Sequence, residues 1–128
     1  MFRLTLFAAV LLLSQVLSVA AMTENLSASE SWKMLEARSD VYLLDVRTFD
    51  EYMQVRLDGA RLIPVDQLVG RLDEIPRDKA IVVYCAVGSR SSQVARYLAR
   101  QGFARVYNMY GGIWAWQSRG YPVVTGRP

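Results

Sequence analysis

Short apolar runs alternate with segments of helical spacing along most of this chain. Residues 41–46 and 81–84 form nearly continuous apolar runs, and a third strand-like run covers residues 105–109. Such runs are typical of strands that are buried on both faces of a sheet. Strands separated by helices pair in parallel, and the helices pack against the sheet. We therefore predict an α/β fold with a parallel sheet flanked by helices on both faces.

Two capping boxes mark the starts of predicted helices. Ser27 is followed three residues later by Glu30, and Thr48 is followed three residues later by Glu51. In this motif the hydroxyl accepts from the third helical N–H, while the carboxylate accepts from the N–H of the capping residue. We expect the first helix to end near Arg38. The expected buried stripe of the second helix consists of Phe49, Tyr52 and Met53.

Two further helices are predicted from apolar spacing and from glycine positions. Asp66 follows a short predicted strand at residues 61–63 and would open one of them. Its expected core positions, spaced i, i+3, i+4 and i+7, are Val65, Leu68, Val69 and Leu72. Gly111 and Gly112 lead into the other helix, which would run through Trp116.

The only cysteine of the chain, Cys85, lies where a predicted strand ends and a helix begins near Ser91. This position aims the thiol at the amides of a helix N-terminus, whose partial positive charge favours an anion. Gly88 permits a left-handed turn, and Arg90 adds a positive charge. Ser89 or Ser91 can cap the helix. Because such surroundings favour the nucleophilic thiolate, we interpret Cys85 as catalytic; the alternative for a lone cysteine is a small buried hydrophobe.

The residue types that are missing narrow the chemistry further. The sequence contains no histidine, which excludes Ser-His-Asp and Cys-His mechanisms and histidine-based zinc sites. One cysteine cannot form an internal disulfide or a Cys-x-x-Cys redox pair. Cys85 must therefore be activated without an imidazole base, and we expect neither a metal nor another cofactor.

The first 21 residues have the pattern of a secretory signal peptide. A basic start precedes the apolar residues 4–13, and small residues end at Ala20 and Ala21. We predict cleavage after one of these alanines, which leaves residues 22–128 as a single domain in the periplasm or outside the cell. The alternative is an uncleaved membrane anchor, since residues 4–21 approach membrane-spanning length. With the leader cleaved, we expect no stable membrane contact.

The charge balance argues against a polyanionic partner. The formal net charge of +3 falls to +2 when Arg3 is removed with the leader. This small and scattered excess predicts no binding to nucleic acid. The remaining chain has room for one core, and we expect a monomer.

An ordered set of motifs runs through the predicted domain. The set comprises Leu43-Leu44-Asp45-Val46-Arg47 with Glu51-Tyr52, then Gly59-Ala60, Ile63-Pro64, Val83-Tyr84-Cys85 with Gly88 and Arg90-Ser91, and finally Gly111-Gly112-Ile113 with Ala115-Trp116. In this order and spacing, the chain resembles a single-domain rhodanese from about Leu26 to Val123. The resemblance implies a thiosulfate sulfurtransferase in which Cys85 carries a persulfide. It implies as partners a small anionic sulfur donor and a thiophilic acceptor.

The loop that follows the cysteine is the predicted substrate site. We expect this site to consist of Ala86, Val87, Gly88, Ser89 and Arg90, whose amides would surround the transferred sulfur. Arg90 follows Cys85 in a Cys-x4-Arg arrangement, one residue shorter than the loop of phosphatases with a similar fold, which disfavours that activity. The alternatives are a phosphatase or arsenate reductase-like enzyme and a non-catalytic module that binds an anion or a thiol.

Other motif residues are expected to have structural or peripheral roles. Asp45 and Arg47 are interpreted as mainly structural, and we expect Arg47 to form a local ion pair with Glu51. Residues 55–58 replace the Gly-His-Ile-Pro of the family pattern, and Arg56 is expected to alter the surface beside the site. Among the aromatic residues, we expect Trp32 and Trp116 in the core and Tyr110 beside the site. Trp114 is expected to rim the pocket or a partner surface.

Overall fold

The computed structural model describes residues 22–128, and its elements follow the predicted alternation of strands and helices. The strands are β1 (Met22–Leu26), β2 (Val41–Asp45), β3 (Val55–Arg56), β4 (Arg61–Leu62), β5 (Ala80–Tyr84), β6 (Arg105–Met109) and β7 (Val124–Thr125). The α-helices are α1 (Ala28–Ala37), α2 (Phe49–Gln54), α3 (Ser89–Arg100) and α4 (Gly112–Ser118), and two 3₁₀ helices cover Val65–Gln67 and Val69–Glu74. Among these described residues, no helix is both long enough and apolar enough to cross a membrane. The predicted signal peptide, residues 1–21, lies outside them.

Five strands form a parallel sheet in the order β1-β6-β5-β2-β4. β5 is the central strand, and every one of its residues is buried. β3 and β7 pair antiparallel in a separate two-stranded sheet. The predicted α/β fold with a central parallel sheet is confirmed.

Side chains that alternate along β5 divide the core into two parts. Val83 and Cys85 belong to the same cluster as Leu98 of α3. Val82 and Tyr84 belong to the cluster that receives residues of α1 and α4. Helices therefore cover both faces of the sheet, and Cys85 lies on the α3 side.

Both predicted capping boxes are present. The N–H of Glu30 donates to Ser27 Oγ at 3.0 Å. The N–H of Glu51 donates to Thr48 Oγ1 at 3.2 Å. The expected burial of Phe49 is wrong, because this side chain is 61% exposed. α2 has only six residues and buries none of them completely, so its first turn extends beyond the core.

The predicted α-helix at Asp66 is replaced by the two 3₁₀ helices. A 3₁₀ turn has three residues, so Val69 is rotated away from Leu68. Leu68 is buried, whereas the expected core residues Val65 and Val69 are 37% and 71% exposed. The backbone of Arg71 also leaves helical geometry, with φ −123° and ψ 19°, so the i+7 spacing cannot continue.

Candidate active site

The loop that carries the cysteine is held between β5 and α3. β5 ends at Tyr84 and α3 begins at Ser89, so Cys85 opens the short loop between them. Gly88 is the N-cap of α3 and has φ +110°, a left-handed conformation that other residues rarely adopt. A Cβ at Gly88 would lie 3.1 Å from the backbone nitrogen of Gly111. Glycine is required here both for the backbone angle and for this close approach.

Hydrogen-bond donors surround the Cys85 sulfur. The Gly88 N–H donates to Sγ at 3.1 Å, and the Ser91 N–H donates to it at 3.4 Å. The Ser91 hydroxyl oxygen lies 3.3 Å from Sγ and 3.2 Å from the Gly88 carbonyl oxygen. Because this hydroxyl has one proton, it donates to the sulfur when the sulfur is a thiolate. Cys85 is fully buried, so these donors act beneath the protein surface.

The donors also decide how readily the thiol ionises. Burial alone raises the pKa of Cys85. The Ser91 hydroxyl and the N–H groups of Ser91, Gly88 and Val87 outweigh burial, so the pKa lies below its ordinary value. The predicted serine cap is wrong, since neither Ser89 nor Ser91 caps α3 through its side chain. The Ser91 hydroxyl is instead directed at the sulfur and at the loop backbone.

Arg90 is held in an ion pair with Glu51. The guanidinium donates to both carboxylate oxygens, at 2.8 and 3.0 Å. Hydrogen bonding from Arg90 is the main cause that lowers the pKa of Glu51 to about 2, so this carboxylate is ionised and compensates the arginine charge. Glu51 above all, and the Cys85 sulfur to a smaller degree, raise the pKa of Arg90 against the effect of burial. The expected pair between Arg47 and Glu51 is therefore wrong.

Arg47 instead pairs with Asp45 in the interior of the fold. The two side chains are 3% and 0% exposed, and Arg47 Nη2 lies 2.7 Å from Asp45 Oδ2. The same nitrogen donates to the Val55 carbonyl oxygen at 2.6 Å. The guanidinium lies 5.5 Å from the centre of the Tyr84 ring, and burial followed by the Asp45 carboxylate raises the pKa of that tyrosine. These contacts connect the end of β2 to β3 and agree with the structural role predicted for Asp45 and Arg47.

The start of α4 contacts the backbone of the cysteine loop. The Ile113 N–H donates to the Cys85 carbonyl oxygen at 2.9 Å, and the Trp114 N–H donates to that of Ala86 at 3.1 Å. Gly112 has φ +57°, and a Cβ at this position would lie 2.5 Å from the carbonyl carbon and oxygen of Ala86. The glycine pair of the motif therefore lets the two backbones approach each other directly.

The predicted loop residues differ in their exposure. Gly88, Ala86 and Arg90 are half-buried, whereas Val87 and Ser89 are exposed. Tyr110 and Trp114, which were expected beside the pocket, are also exposed. Trp32 and Trp116 pack against each other and against Tyr121 on the other face of the sheet, as expected of core aromatic residues.

Arg56 has a different role from the one expected. Its side chain is buried rather than part of the surface beside the site. Arg56 Nη1 donates to the Gly126 carbonyl oxygen at 2.6 Å and to that of Tyr52 at 3.2 Å. The backbone of Arg56 pairs with Val124 in the small β3-β7 sheet. Arg56 therefore holds the C-terminal segment against the domain. No local sequence pattern predicts this long-range contact.

The family model of the rhodanese-like domain matches residues 27–119, which include both capping boxes, the Cys85 loop and α4. The chain belongs to the rhodanese family. The fold of this rhodanese is similar to that of a rhodanese-related protein from Thermoplasma volcanium, with a TM-score of 0.73 and 29% sequence identity. The match covers 79% of this chain and 97% of the Thermoplasma chain.

Two relatives of this rhodanese are named for sulfur transfer. A sulfurtransferase of Allochromatium vinosum is 38% identical over 104 residues, which cover 81% of this chain and 97% of the relative. The thiosulfate sulfurtransferase GlpE of Coxiella burnetii is 31% identical over 97 residues, which cover 76% of this chain and 90% of the relative. The similarity therefore extends over most of each chain and is not confined to the Cys85 loop.

Two residues of the site have contacts that the sequence patterns do not reveal. Glu51 is recognisable from the sequence only as a helix cap, because its partner Arg90 is 39 positions away. Ser91 is recognisable only as a candidate cap of α3. The one sequence signal for its contact with the sulfur is its spacing of six positions from Cys85, which places Ser91 in the first turn of the helix that follows the loop.

Proposed function

We propose that this rhodanese is a sulfurtransferase that carries a sulfane sulfur on Cys85. The observation that carries the proposal is the set of donors around Sγ, which includes the Gly88 N–H at 3.1 Å and the Ser91 N–H at 3.4 Å. Donors that are already in place stabilise an anion without reorganising, as an oxyanion hole does. The lowered pKa of Cys85 favours the reactive thiolate at neutral pH.

The proposed reaction consists of two displacements on sulfur. In the first, the Cys85 thiolate attacks the outer sulfur of a thiosulfate-like donor; the donor S–S bond breaks, and sulfite leaves with its electron pair. The negative charge then resides on the outer sulfur of the persulfide, where we expect the amides of residues 86–90 to stabilise it. In the second displacement, a thiophilic acceptor attacks this outer sulfur. The persulfide bond breaks, and its electron pair restores the Cys85 thiolate.

Mass spectrometry tests the first displacement. Incubation with thiosulfate should add the mass of one sulfur atom to the peptide that contains Cys85, and cyanide should remove it as thiocyanate. Cys85→Ser should acquire no sulfur under the same conditions. An unmodified wild-type protein with a freely titratable thiol would contradict the proposal.

The same variant distinguishes the alternative functions. Hydrolysis of a phosphate ester by the wild type, lost in Cys85→Ser and without sulfur loading, would indicate a phosphatase. Binding of an anion that persists in Cys85→Ser, without turnover in either protein, would indicate a non-catalytic module.

We further propose that residues 1–21 direct export and are cleaved. The support is the sequence pattern of a basic start, an apolar stretch and small residues at the predicted cleavage site. N-terminal sequencing after expression of the full chain should find Ala21 or Met22 as the first residue in the periplasmic fraction. Recovery of the intact N-terminus from membranes would contradict cleavage.

A further inference from the structure

α2 carries Glu51 to the edge of the Cys85 loop, yet this helix has little packing of its own. It has six residues, and none of them is completely buried. Helices this short are not stable through their own backbone hydrogen bonds. The position of α2 therefore depends on contacts at its ends. Because Glu51 binds Arg90 through both carboxylate oxygens, that position also decides where the negative charge of Glu51 lies.

The Arg56 side chain holds the C-terminal end of α2. Arg56 Nη1 donates to the Tyr52 carbonyl oxygen at 3.2 Å, and the guanidinium lies 4.8 Å from the centre of the Tyr52 ring. Carbonyl groups in the last turn of a helix have no partner within the helix, so the arginine satisfies one of them. Tyr52 directly follows Glu51 in the sequence. Arg56 is thus bound to the residue next to the one that pairs with Arg90.

Arg56 is itself held by the C-terminal segment. Its Nη1 atom donates to the Gly126 carbonyl oxygen at 2.6 Å, and its backbone pairs with Val124. The side chain is 6% exposed, and none of the salt bridges of the described residues includes it. A buried guanidinium that loses its hydrogen bonds is costly, so these carbonyl oxygens fix the side chain in place.

We propose that Arg56 is a positioning residue of the site, because it joins the C-terminal segment to α2 and thereby keeps Glu51 on Arg90. A continuous path of contacts runs from Gly126 through Arg56 and Tyr52 to α2. The effect of this path on catalysis rests on the sulfur transfer proposed above, whereas its effect on the Glu51 carboxylate does not.

Without the arginine, α2 should shift rather than unfold. The Thr48 cap still holds its first turn, and the Tyr52 hydroxyl donates to the Ala60 carbonyl oxygen at 3.0 Å. A shifted helix carries Glu51 away from Arg90, whose hydrogen bonds are the main cause of the low pKa of Glu51. Arg56 is not among the groups that set this pKa directly. A raised Glu51 pKa therefore reports a displaced carboxylate and not the loss of a nearby charge.

Carbon-13 NMR titration of the Glu51 carboxyl tests the inference. The pKa of Glu51, about 2 in the wild type, should rise to about 3 in Arg56→Met, which corresponds to a roughly tenfold weaker acid. Methionine fills part of the space but cannot donate to the two carbonyl oxygens. Arg56→Lys keeps the charge and a donor, and it should give a pKa between those of the wild type and Arg56→Met.

Arg77→Met is the matched control. Arg77 also donates to a backbone carbonyl oxygen, that of Gln101 at 2.7 Å, and lies 4.1 Å from the centre of the Phe103 ring, but neither partner belongs to α2 or to the C-terminal segment. This variant should leave the pKa of Glu51 at about 2. An unchanged pKa in Arg56→Met, or an equal rise in Arg77→Met, overturns the inference.

A variant of the C-terminal segment tests the same path with Arg56 intact. Gly126 has φ +80°, so Gly126→Val should displace its carbonyl group and raise the pKa of Glu51, by less than Arg56→Met does. Gly120→Val is the control, since Gly120 has a similar φ of +72° and likewise has nothing within 4 Å of an added Cβ. If Arg56→Met does not fold, a Glu51 pKa that is the same in these two valine variants overturns the inference.

The KM for thiosulfate separates this positioning role from a general loss of stability. Glu51→Gln should change KM about threefold in the wild type but less than about 1.5-fold in Arg56→Met, because the Glu51–Arg90 pair is already loosened there. An equal change in both proteins would mean that Arg56 does not act through Glu51, and it would overturn the inference. A wild type that loads no sulfur would instead count against the proposed function, and the NMR titration would still decide the role of Arg56.

Discussion

Two arginine–carboxylate pairs use neighbouring carboxylates but differ in their surroundings. Arg47 and Asp45 are 3% and 0% exposed, with a closest nitrogen–oxygen distance of 2.7 Å. Arg90 and Glu51 are 36% and 32% exposed, with a distance of 2.8 Å. The last residue of β2 thus supplies one carboxylate to the interior, and α2 supplies the other to the edge of the Cys85 loop.

The difference in burial distinguishes the pair whose charges stabilise the fold from the pair whose charges affect the reactivity of Cys85. Removing one partner of a buried pair leaves an uncompensated charge in the interior, which is strongly destabilising. A half-exposed pair is screened by water and contributes little stability. Beside a thiolate, however, the same pair sets the local net charge. We therefore expect the Asp45–Arg47 pair to control folding and the Glu51–Arg90 pair to control reactivity.

Asp45→Asn should give the largest effect. Arg47 would keep its charge in the interior without its carboxylate, and we expect the free energy of unfolding to fall by about 3–5 kcal/mol. Urea unfolding followed by circular dichroism measures this loss. Asp40→Asn, which breaks the exposed Arg38–Asp40 pair, is the matched control and should leave the unfolding midpoint almost unchanged. Similar midpoints for the two variants would contradict the structural role of the buried pair.

Gly112→Ala should give the second-largest loss of stability. It tests whether the conformation of the Cys85 loop depends on backbone contact with α4 rather than on the Glu51–Arg90 pair. The new Cβ would press on the Ala86 carbonyl group, and we expect a loss of about 2–4 kcal/mol in stability and slower sulfur loading. Gly59→Ala is the control, because Gly59 also has a positive φ, +78°, but a Cβ there would have nothing within 4 Å. It isolates the cost of the backbone angle, about 1 kcal/mol. Equal losses would show that the contact with Ala86 is unimportant.

Ser91→Ala separates the hydrogen bonds of the sulfur from the charge of Arg90. Because the Ser91 hydroxyl lowers the pKa of Cys85, its removal should raise that pKa and shift the pH profile of thiol alkylation upward. Less thiolate would then be present at neutral pH, and alkylation should slow about tenfold. Ser92→Ala is the control, since this hydroxyl binds Arg96 and not the sulfur. An unchanged profile in Ser91→Ala would assign the activation to the backbone N–H groups alone.

Glu51→Gln should have the smallest effect on stability. The pKa of Glu51 is about 2 in the folded protein, below its ordinary value of 4.5, so the pair stabilises the fold above about pH 4.5 and loses this effect as the pH falls towards 2. Because both side chains are about one-third exposed, the contribution should stay below about 1 kcal/mol. The difference between wild type and variant should therefore shrink during acid unfolding over this range. A difference that persists at pH 2 would contradict the assigned cause.

The same variant should have a clearer effect on reactivity. Glutamine keeps an oxygen for Arg90 but removes the compensating charge, so the KM for thiosulfate should fall by about threefold at low salt and by less at high salt. Glu36→Gln, a change of equal charge on the exposed surface of α1, should not alter KM. A KM that does not change, or changes independently of salt, would show that Glu51 does not set the charge of the loop.

Much of the fold could be predicted because its signals are local. Capping boxes, apolar runs and the strand-loop-helix order around Cys85 act over a few residues, and the structure contains each of them. β1 was not predicted, because Met22–Leu26 lacks an apolar pattern and becomes a strand through pairing with β6. β3 and β7 likewise form strands by pairing with each other, although they lie at distant points of the chain. The sequence around Asp66 predicted the burial of Leu68 but not the 3₁₀ geometry that exposes Val69.

By itself, the sequence determined the candidate nucleophile, its loop and the need for activation without an imidazole, because one cysteine at a strand-loop-helix junction allows few arrangements. Only the tertiary structure decided which partners three of the arginines bind. Arg90 binds Glu51, Arg47 binds Asp45, and Arg56 binds the Gly126 carbonyl oxygen. A long arginine side chain can reach several acceptors along an unfolded chain, and folding selects among them by burial and distance. The charge balance beside Cys85 is therefore a property of the folded protein and not of its composition.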